Sequence, residues 1–265
     1  MKKTAIKVRN LSAGYNNQAI MENLCFDIQS GEIFVILGGS GCGKSTVLKH
    51  MIGLIPPVSG KVLIHGENIV TARGTARNNL LQKIGVAFQN GALFGSMTVL
   101  ENIMLPLKEY TDLPQDAIET IAMVKLGLVD LAQGAFLLPD ELSGGMRKRA
   151  AIARAMALDP SILFLDEPSA GLDPLTSAGL DKLILELCAS LGITFVIVTH
   201  ELESIIAIAD RTIMLEKETK GIIAMGPPKE LKQNKSNPYV YNFFNRNPGT
   251  QKPETWKPED LETKK

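Results

Sequence analysis

The chain has 265 residues, 45% of them apolar and 21% charged, with a mean hydropathy of +0.08. That is enough apolar material for one large domain or one domain with an insert, and it excludes disorder for the bulk of the chain. Lys+Arg and Asp+Glu both number 28, so there is no basic excess with which to grip nucleic acid.

Three widely spaced cysteines, Cys25, Cys42 and Cys188, build neither a disulfide framework nor a paired CxxC zinc site, which points to a reducing compartment. No apolar run approaches the ~20 residues that cross a bilayer. The start resembles a secretory n-region only briefly, because Lys7, Arg9 and Asn10 interrupt what would be its apolar core. Any role at a membrane must therefore run through a partner.

Ile6-Lys7-Val8-Arg9 alternates as a half-exposed strand does, and Ala13-Gly14 punctuates its end. Residues 33–37 are short, apolar and rich in β-branched side chains, as in a strand buried on both faces. A glycine-rich turn follows at 38–43, then a helix from Lys44 to Met51 with Val47, Leu48 and Met51 on one side. Ile84–Phe88 reads as a further strand, and 90–158 as mainly helical. Ile162–Leu165 and Phe195–Val198 are buried strands flanking a long helix near 174–190. The order of these elements predicts an α/β fold with a parallel sheet and a helical insertion. Near the end, Asn237-Pro238 starts a short helix with Val240, Phe243 and Phe244 on one face. Five of the fourteen aromatics lie between 239 and 256, and prolines at 248, 253 and 258 keep the final stretch extended.

Gly38-Gly39-Ser40-Gly41-Cys42-Gly43-Lys44-Ser45 fits G-x-x-x-x-G-K-[ST] between a buried strand and a helix. Its glycines let backbone N–H groups converge on an anion, and the helix N-terminus adds its dipole. Lys44 reaches the β- and γ-phosphates of a nucleotide, and the Ser45 hydroxyl ligates Mg²⁺. A dinucleotide fingerprint fails, because its third glycine would fall on Lys44. In Ile162-Leu163-Phe164-Leu165-Asp166-Glu167, Asp166 emerges where parallel sheets bind ligands and suits Mg²⁺. Glu167 suits a general base acting on water. His200 and Gln89 follow strands toward the same kind of sheet edge, His200 for a γ-phosphate and Gln89 for metal or water. Leu142-Ser143-Gly144-Gly145-Met146 opens another helix, so Ser143 and the free N–H groups beside it make a second anion site. The run Arg147-Lys148-Arg149 reads as a solvated charged face.

In order and spacing these motifs, together with Ser169-Ala170-Gly171-Leu172-Asp173, resemble an ABC-transporter ATPase subunit over roughly 6–230. The resemblance implies a P-loop NTPase (RecA-like) core with a mostly parallel sheet, an N-terminal antiparallel β part and a helical insertion. It implies an ATPase domain at 1–246, with its core at 1–89 and 159–236 and a helical subdomain at about 90–158, then an extended tail at 247–265. ATP and Mg²⁺ are the implied cofactors. Nucleotide contacts would fall to Tyr15, which stacks on adenine, to Gly38, Gly39, Ser40, Gly41, Cys42, Gly43, Lys44, Ser45 and Thr46, and to Ser143, Gly144 and Gly145. Metal contacts would fall to Ser45, Gln89 and Asp166, and catalysis to Glu167, His200 and Gln89. Such subunits form homodimers that sandwich two ATP molecules between one chain's phosphate loop and the other's Ser143 motif. They sit on the cytoplasmic face of the inner membrane, peripherally, against an integral-membrane permease whose coupling helix packs near Gly91–Met97.

Met146 departs from the family's usual glutamine. Met146-Arg147-Lys148-Arg149 is similar to the ATPases of the Mla phospholipid-transport family, which work with MCE-type and STAS-type proteins and maintain outer-membrane lipid asymmetry. The aromatic tail is similar to their extension onto the opposite subunit, with Trp256 as its anchor. The alternative within the family is an importer ATPase for a small polar solute. A soluble ATPase acting on DNA or ribosomes fits poorly, since only 99 residues separate Lys44 from Ser143 and the phosphate loop occurs once.

Overall fold

Burial and turn chemistry cut the chain into short elements, which the computed structural model describes for residues 3–247. In order they are β1 Thr4–Tyr15, β2 Gln18–Gln29, β3 Ile33–Gly38, α1 Lys44–Met51, β4 Ser59–Ile64, β5 Glu67–Asn68, α2 Gly74–Gln82, β6 Ile84–Ala87, α3 Val99–Tyr110 and α4 Gln115–Leu128. Then come α5 Gly144–Ala155, β7 Ile162–Asp166, α6 Pro174–Leu191, β8 Thr194–Val198, α7 Leu202–Ile208, β9 Arg211–Glu216, β10 Gly221–Gly226, α8 Pro228–Gln233 and α9 Pro238–Phe244. The mixture of parallel and antiparallel strands with helices is the α/β class read from the sequence. Among the described residues, those up to Ala72 together with those from Val198 form one compact unit, and Arg73–Ile197 form a second.

In the first unit β1 and β2 make an antiparallel hairpin whose two-residue turn, Asn16-Asn17, has φ of 50° and 61° at its centre. Positive φ at both centres matches the twist of the flanking strands, and asparagine tolerates it. β4 joins the other edge of β1 antiparallel, and β5 joins β4. The N-terminal antiparallel part is thus three long strands and a stub, longer than the four-residue strand that alternation alone suggests. Register shifts between Val8 and Leu11 and between Ala13 and Gly14 break the alternation.

β3 is buried at all six positions and pairs parallel with β9, which pairs antiparallel with β10. Its entry is pinned. The Ile33 N–H donates to Asp210 Oδ2 at 2.9 Å, and the Asp210 N–H returns a bond to the Ile33 carbonyl at 2.9 Å. Arg211 donates to both oxygens of buried Glu32, at 2.7 and 3.2 Å, and lies over the Phe34 ring, which stacks on Phe26. At the end of this unit Asn237 caps α9 by accepting from the N–H groups of Tyr239 and Val240. Val240 and Phe244 are buried and Phe243 is half-buried. The extended tail and its anchor Trp256 lie outside the described residues.

In the second unit β6 and β7 pair parallel, and the strand order is β8-β7-β6. The span read as mainly helical carries α3, α4 and α5, which pack on one another. α3 opens with a capping box between Thr98 and Glu101, and buried Asn102 holds the segment before it through bonds with Phe94, Met97 and Thr98. The strand expected to reach Phe88 stops at Ala87, and the long helix runs Pro174–Leu191 behind its Asp173 cap. Gly85 sits where a Cβ would lie 2.1 Å from the Ala155 carbonyl oxygen and 2.5 Å from Leu163. Gly85→Ala should therefore destabilise the fold by about 1–3 kcal/mol, read as a melting temperature lower by roughly 2–12 °C in thermal unfolding.

Candidate functional site

The chemistry is carried by strand ends and the helices that follow them. In the first unit the chain leaves β3 at Gly38, where a Cβ would meet the Leu215 carbonyl oxygen at 2.5 Å and Cys42 Sγ at 2.6 Å, so no side chain fits. Gly43, at φ 101°, begins α1 without a side-chain cap, and no acidic residue occupies the first turn. The first N–H groups of α1 are thus neither capped by a side chain nor countered by a carboxylate, which is what an anion requires. Lys44 is only 7% exposed, and its ammonium donates to the carbonyls of Gly38 and Gly39 at 3.0 and 3.1 Å, across the loop that holds Ser40, Gly41 and Cys42. Burial raises the Cys42 thiol pKa against the opposing pull of Lys44, which keeps the thiol protonated.

Ser45 and Thr46 are half-buried on the first turn of α1, and Thr46 Oγ1 lies 3.5 Å from Tyr15 Oη. Tyr15 ends β1 and is 45% exposed, so it is not a core aromatic. Behind it lies fully buried His50 of α1, which bonds the backbone of Gly14 at 3.0 Å and the carbonyl of Ile55 at 3.1 Å. With the proton on Nδ1, Nδ1–H donates to Ile55 and Nε2 accepts the Gly14 N–H, while Nε2 also lies 3.1 Å from the Gly14 carbonyl oxygen. His50 thus ties the helix after the phosphate loop to the residue before Tyr15, a link that the sequence motifs do not signal. His200 follows β8, with its side chain 54% exposed and Nε2 at 3.7 Å from Glu201 Oε1.

In the second unit β7 is buried at every position and delivers Asp166 and Glu167, each 8% exposed. Glu167 has φ 48°, a left-handed backbone that costs on the order of 1 kcal/mol for a side-chain-bearing residue and is held only by its surroundings. Gln89 lies exposed two residues beyond β6. Ser143 caps α5 by accepting the Met146 N–H at 3.3 Å, and Gly144 and Gly145 form the first turn beside it. The Met146 methyl lies 3.5 Å from where a Cβ on Gly134 would stand.

The basic run corrects the sequence reading. Arg147, Lys148 and Arg149 are all half-buried, not a solvated face. Lys148 donates to the carbonyls of Gln89 at 2.7 Å and Glu167 at 3.0 Å, and Arg149 donates to the carbonyl of Val129 at 2.8 Å. Burial lowers the Lys148 pKa, while the charges of Glu167 and Asp166 push it back up. Among the described residues no helix is long and apolar enough to cross a membrane.

Comparison with known proteins bears on this geometry. The family model described as "ABC transporter" matches residues 21–170. The chain is 41% identical over 241 residues to a protein named probable ribonucleotide transport ATP-binding protein mkl from Mycobacterium leprae, covering 91% of this chain and 69% of that one. It is 39% identical over 239 residues to the intermembrane phospholipid transport system ATP-binding protein MlaF of Escherichia coli K12, covering 90% and 88%. Among solved structures, cbiO1 of Clostridium perfringens, part of the ABC transporter complex cbiONQ, superposes with a TM-score of 0.80 at 30% identity over 88% of this chain and 92% of that one. A dimeric post-hydrolysis ATP-binding cassette bound to ADP and Pi gives 0.76 at 30% identity over 84% and 98%.

The pH response of His50 is open to measurement. Its pKa is held below the ordinary 6.5 by burial. Below pH 6.5 the unfolded chain therefore binds a proton that the fold excludes, and the stability His50 supports is present above pH 6.5 and lost as pH falls, by up to about 1.4 kcal/mol per unit. Against non-titrating His50→Gln, the wild-type stability advantage should shrink between pH 7.5 and 5.5 in urea unfolding, and a constant difference would contradict this.

Proposed function

This chain belongs to the ABC transporter family, and we propose that it is the ATP-hydrolysing subunit of a membrane transporter that moves phospholipid and so maintains outer-membrane lipid asymmetry. The observation that carries the cargo is the match to MlaF along 88% of that protein's length, supported by the Met146-Arg147-Lys148-Arg149 form of the signature. In this reading the chain works as a homodimer, peripherally at the cytoplasmic face of the inner membrane, under a permease and with MCE-type and STAS-type partners. Residues 90–158 form the helical subdomain that meets the permease near Gly91–Met97.

The roles follow from the local chemistry. The uncapped N–H groups of α1 and the Lys44 ammonium bind phosphate, and Tyr15 offers its face to adenine. Ser45 and Asp166 are hard oxygen donors of the kind that Mg²⁺ takes alongside phosphate oxygens and water, and Gln89 adds an amide oxygen. Bound there, Mg²⁺ would neutralise phosphate charge. Glu167 accepts the proton of the attacking water, and His200 contacts the γ-phosphate. Ser143, Gly144 and Gly145 serve the partner subunit's nucleotide.

The 41% identity to a protein named for ribonucleotide transport supports a second reading, a small polar cargo. This chain spans 69% of that protein against 88% of MlaF, which favours the phospholipid reading. Purifying the complex from native membranes separates the two. A permease that carries an MCE-type protein and bound phospholipid supports the first, and a permease whose turnover is stimulated by ribonucleotide supports the second.

Glu167→Gln keeps shape and removes basicity. It should bind ATP and accumulate as a stable dimer while turnover falls by roughly 10²–10⁴, and near wild-type turnover would reject Glu167 as the base. Lys44→Ala should weaken nucleotide binding itself. Met146→Gln should leave ATPase activity within a few-fold of wild type, since the cap at this helix start uses the Met146 backbone N–H and the Ser143 hydroxyl. A loss of several orders of magnitude would show that the thioether is required.

A further inference from the structure

We propose that Lys148 is a positioning residue that ties the signature helix to the catalytic glutamate and to the Gln89 loop of the same chain. The inference rests on the functional reading above. It begins from the half-buried basic run of the signature helix.

Lys148 lies five residues beyond Ser143, within the second turn of α5. Its ammonium donates to two carbonyls that are distant in sequence, Gln89 at 2.7 Å and Glu167 at 3.0 Å. These belong to Gln89, assigned to the metal or water, and to Glu167, assigned to the proton of the attacking water. The same helix reaches the Gln89 loop a second time, because Arg154 donates to the carbonyls of Ala92 at 2.7 Å and Gly91 at 3.3 Å. Loop 89–92 is therefore held to α5 at three carbonyls. Glu167 is held there at one, and that carbonyl also accepts the Ala170 N–H at 3.2 Å.

The bond to Glu167 matters because of the backbone it restrains. At φ 48° the residue sits in a conformation that relaxes unless its neighbours fix it. A relaxed backbone would swing the carboxylate, and displacement of a reacting group by about 1 Å costs on the order of 10²-fold in rate. Charge adds to this, since the ammonium lies in the field of both Asp166 and Glu167. A lysine suits the task chemically. Its ammonium projects three donors in divergent directions, whereas a glutamine amide offers two in one plane. Because Ser143 caps the same helix, a small shift of α5 on engaging a partner's nucleotide would move Gln89 and Glu167 with it.

The test is ATP turnover and ATP affinity of the full-length chain as Lys148→Met, Lys148→Arg and Lys148→Met/Glu167→Gln. Lys148→Met should lower kcat roughly 10- to 100-fold with the ATP Kd within about threefold, and Lys148→Arg, which keeps donors for both carbonyls, should recover most of the loss. In the double variant the Lys148 loss should largely vanish, because it acts through Glu167. Turnover of Lys148→Met within twofold of wild type would overturn the proposal. So would a full additive loss in the double variant, or ATP affinity falling in step with turnover, which marks a merely structural residue. If Lys148→Met does not fold, Lys148→Gln is read by the same criteria. A wild-type chain that hydrolyses no ATP overturns the functional reading and this inference with it, whereas an active wild type matched by its Lys148 variants overturns this inference alone.

Discussion

The burial of whole strands is the constraint on which the rest depends. β3 and β7 have no exposed residue along their length, so every backbone polar group must be spent on neighbouring strands until the chain emerges. Where it emerges, polar groups come all at once. β3 releases into the loop ending at Lys44, and β7 releases Asp166 and Glu167. The strands are rigid because they are saturated, and their ends are reactive because saturation stops there. The paired bonds between Ile33 and Asp210 and the Glu32–Arg211 ion pair fix the start of β3. Glu32 is buried and Arg211 half-buried, and a buried carboxylate is costly to leave without its partner, so the position of the phosphate loop is set from the far end of its strand as well as from its own glycines.

Helix α5 applies the same economy by different means. A helix buried on one side usually presents apolar residues there, and Ala150, Ala153 and Ile152 do so. Lys148 and Arg154 turn to backbone carbonyls, and Arg149 reaches the Val129 carbonyl beside its ion pair with Asp130. A charged donor on a neutral carbonyl forms a hydrogen bond stronger than a neutral pair, by roughly a factor of two, without forcing a second charge out of water. Loops that have no strand partner for their carbonyls are held in this way, and they keep the freedom to move with the helix.

Much of this was legible in the sequence because it follows from local rules. The strand-loop-helix at 33–51, the buried strand before Asp166, the Asn237 cap and the helical span at 90–158 each need only a few adjacent residues to be recognised. What escaped was non-local. β1 is three times as long as the four-residue strand that alternation suggests, because register shifts break the alternation partway. β9 and β10 close the first unit's sheet through pairing that no local pattern announces. Lys148 looked solvated because its partners, the carbonyls of Gln89 and Glu167, carry no sequence signature. His50 escaped for the same reason, since its contacts are with the backbone of Gly14 and Ile55.

The two helix N-termini that frame the proposed nucleotide chemistry differ in a way that bears on how each is used. α1 begins at Gly43 with no side-chain cap, so its first-turn N–H groups meet phosphate without displacing a protein side chain. α5 begins at Ser143, whose oxygen accepts the Met146 N–H. An N-cap is worth about 1 kcal/mol, and a ligand that broke it would lose that much. A serine hydroxyl has two acceptor positions and one donor, however. Ser143 can therefore keep the cap with one lone pair while its proton points to a phosphate oxygen. Neither role requires an amide at the position that Met146 fills. On the proposed function the signature accommodates methionine, because the hydrogen bonds at this helix start come from the Ser143 hydroxyl and the backbone.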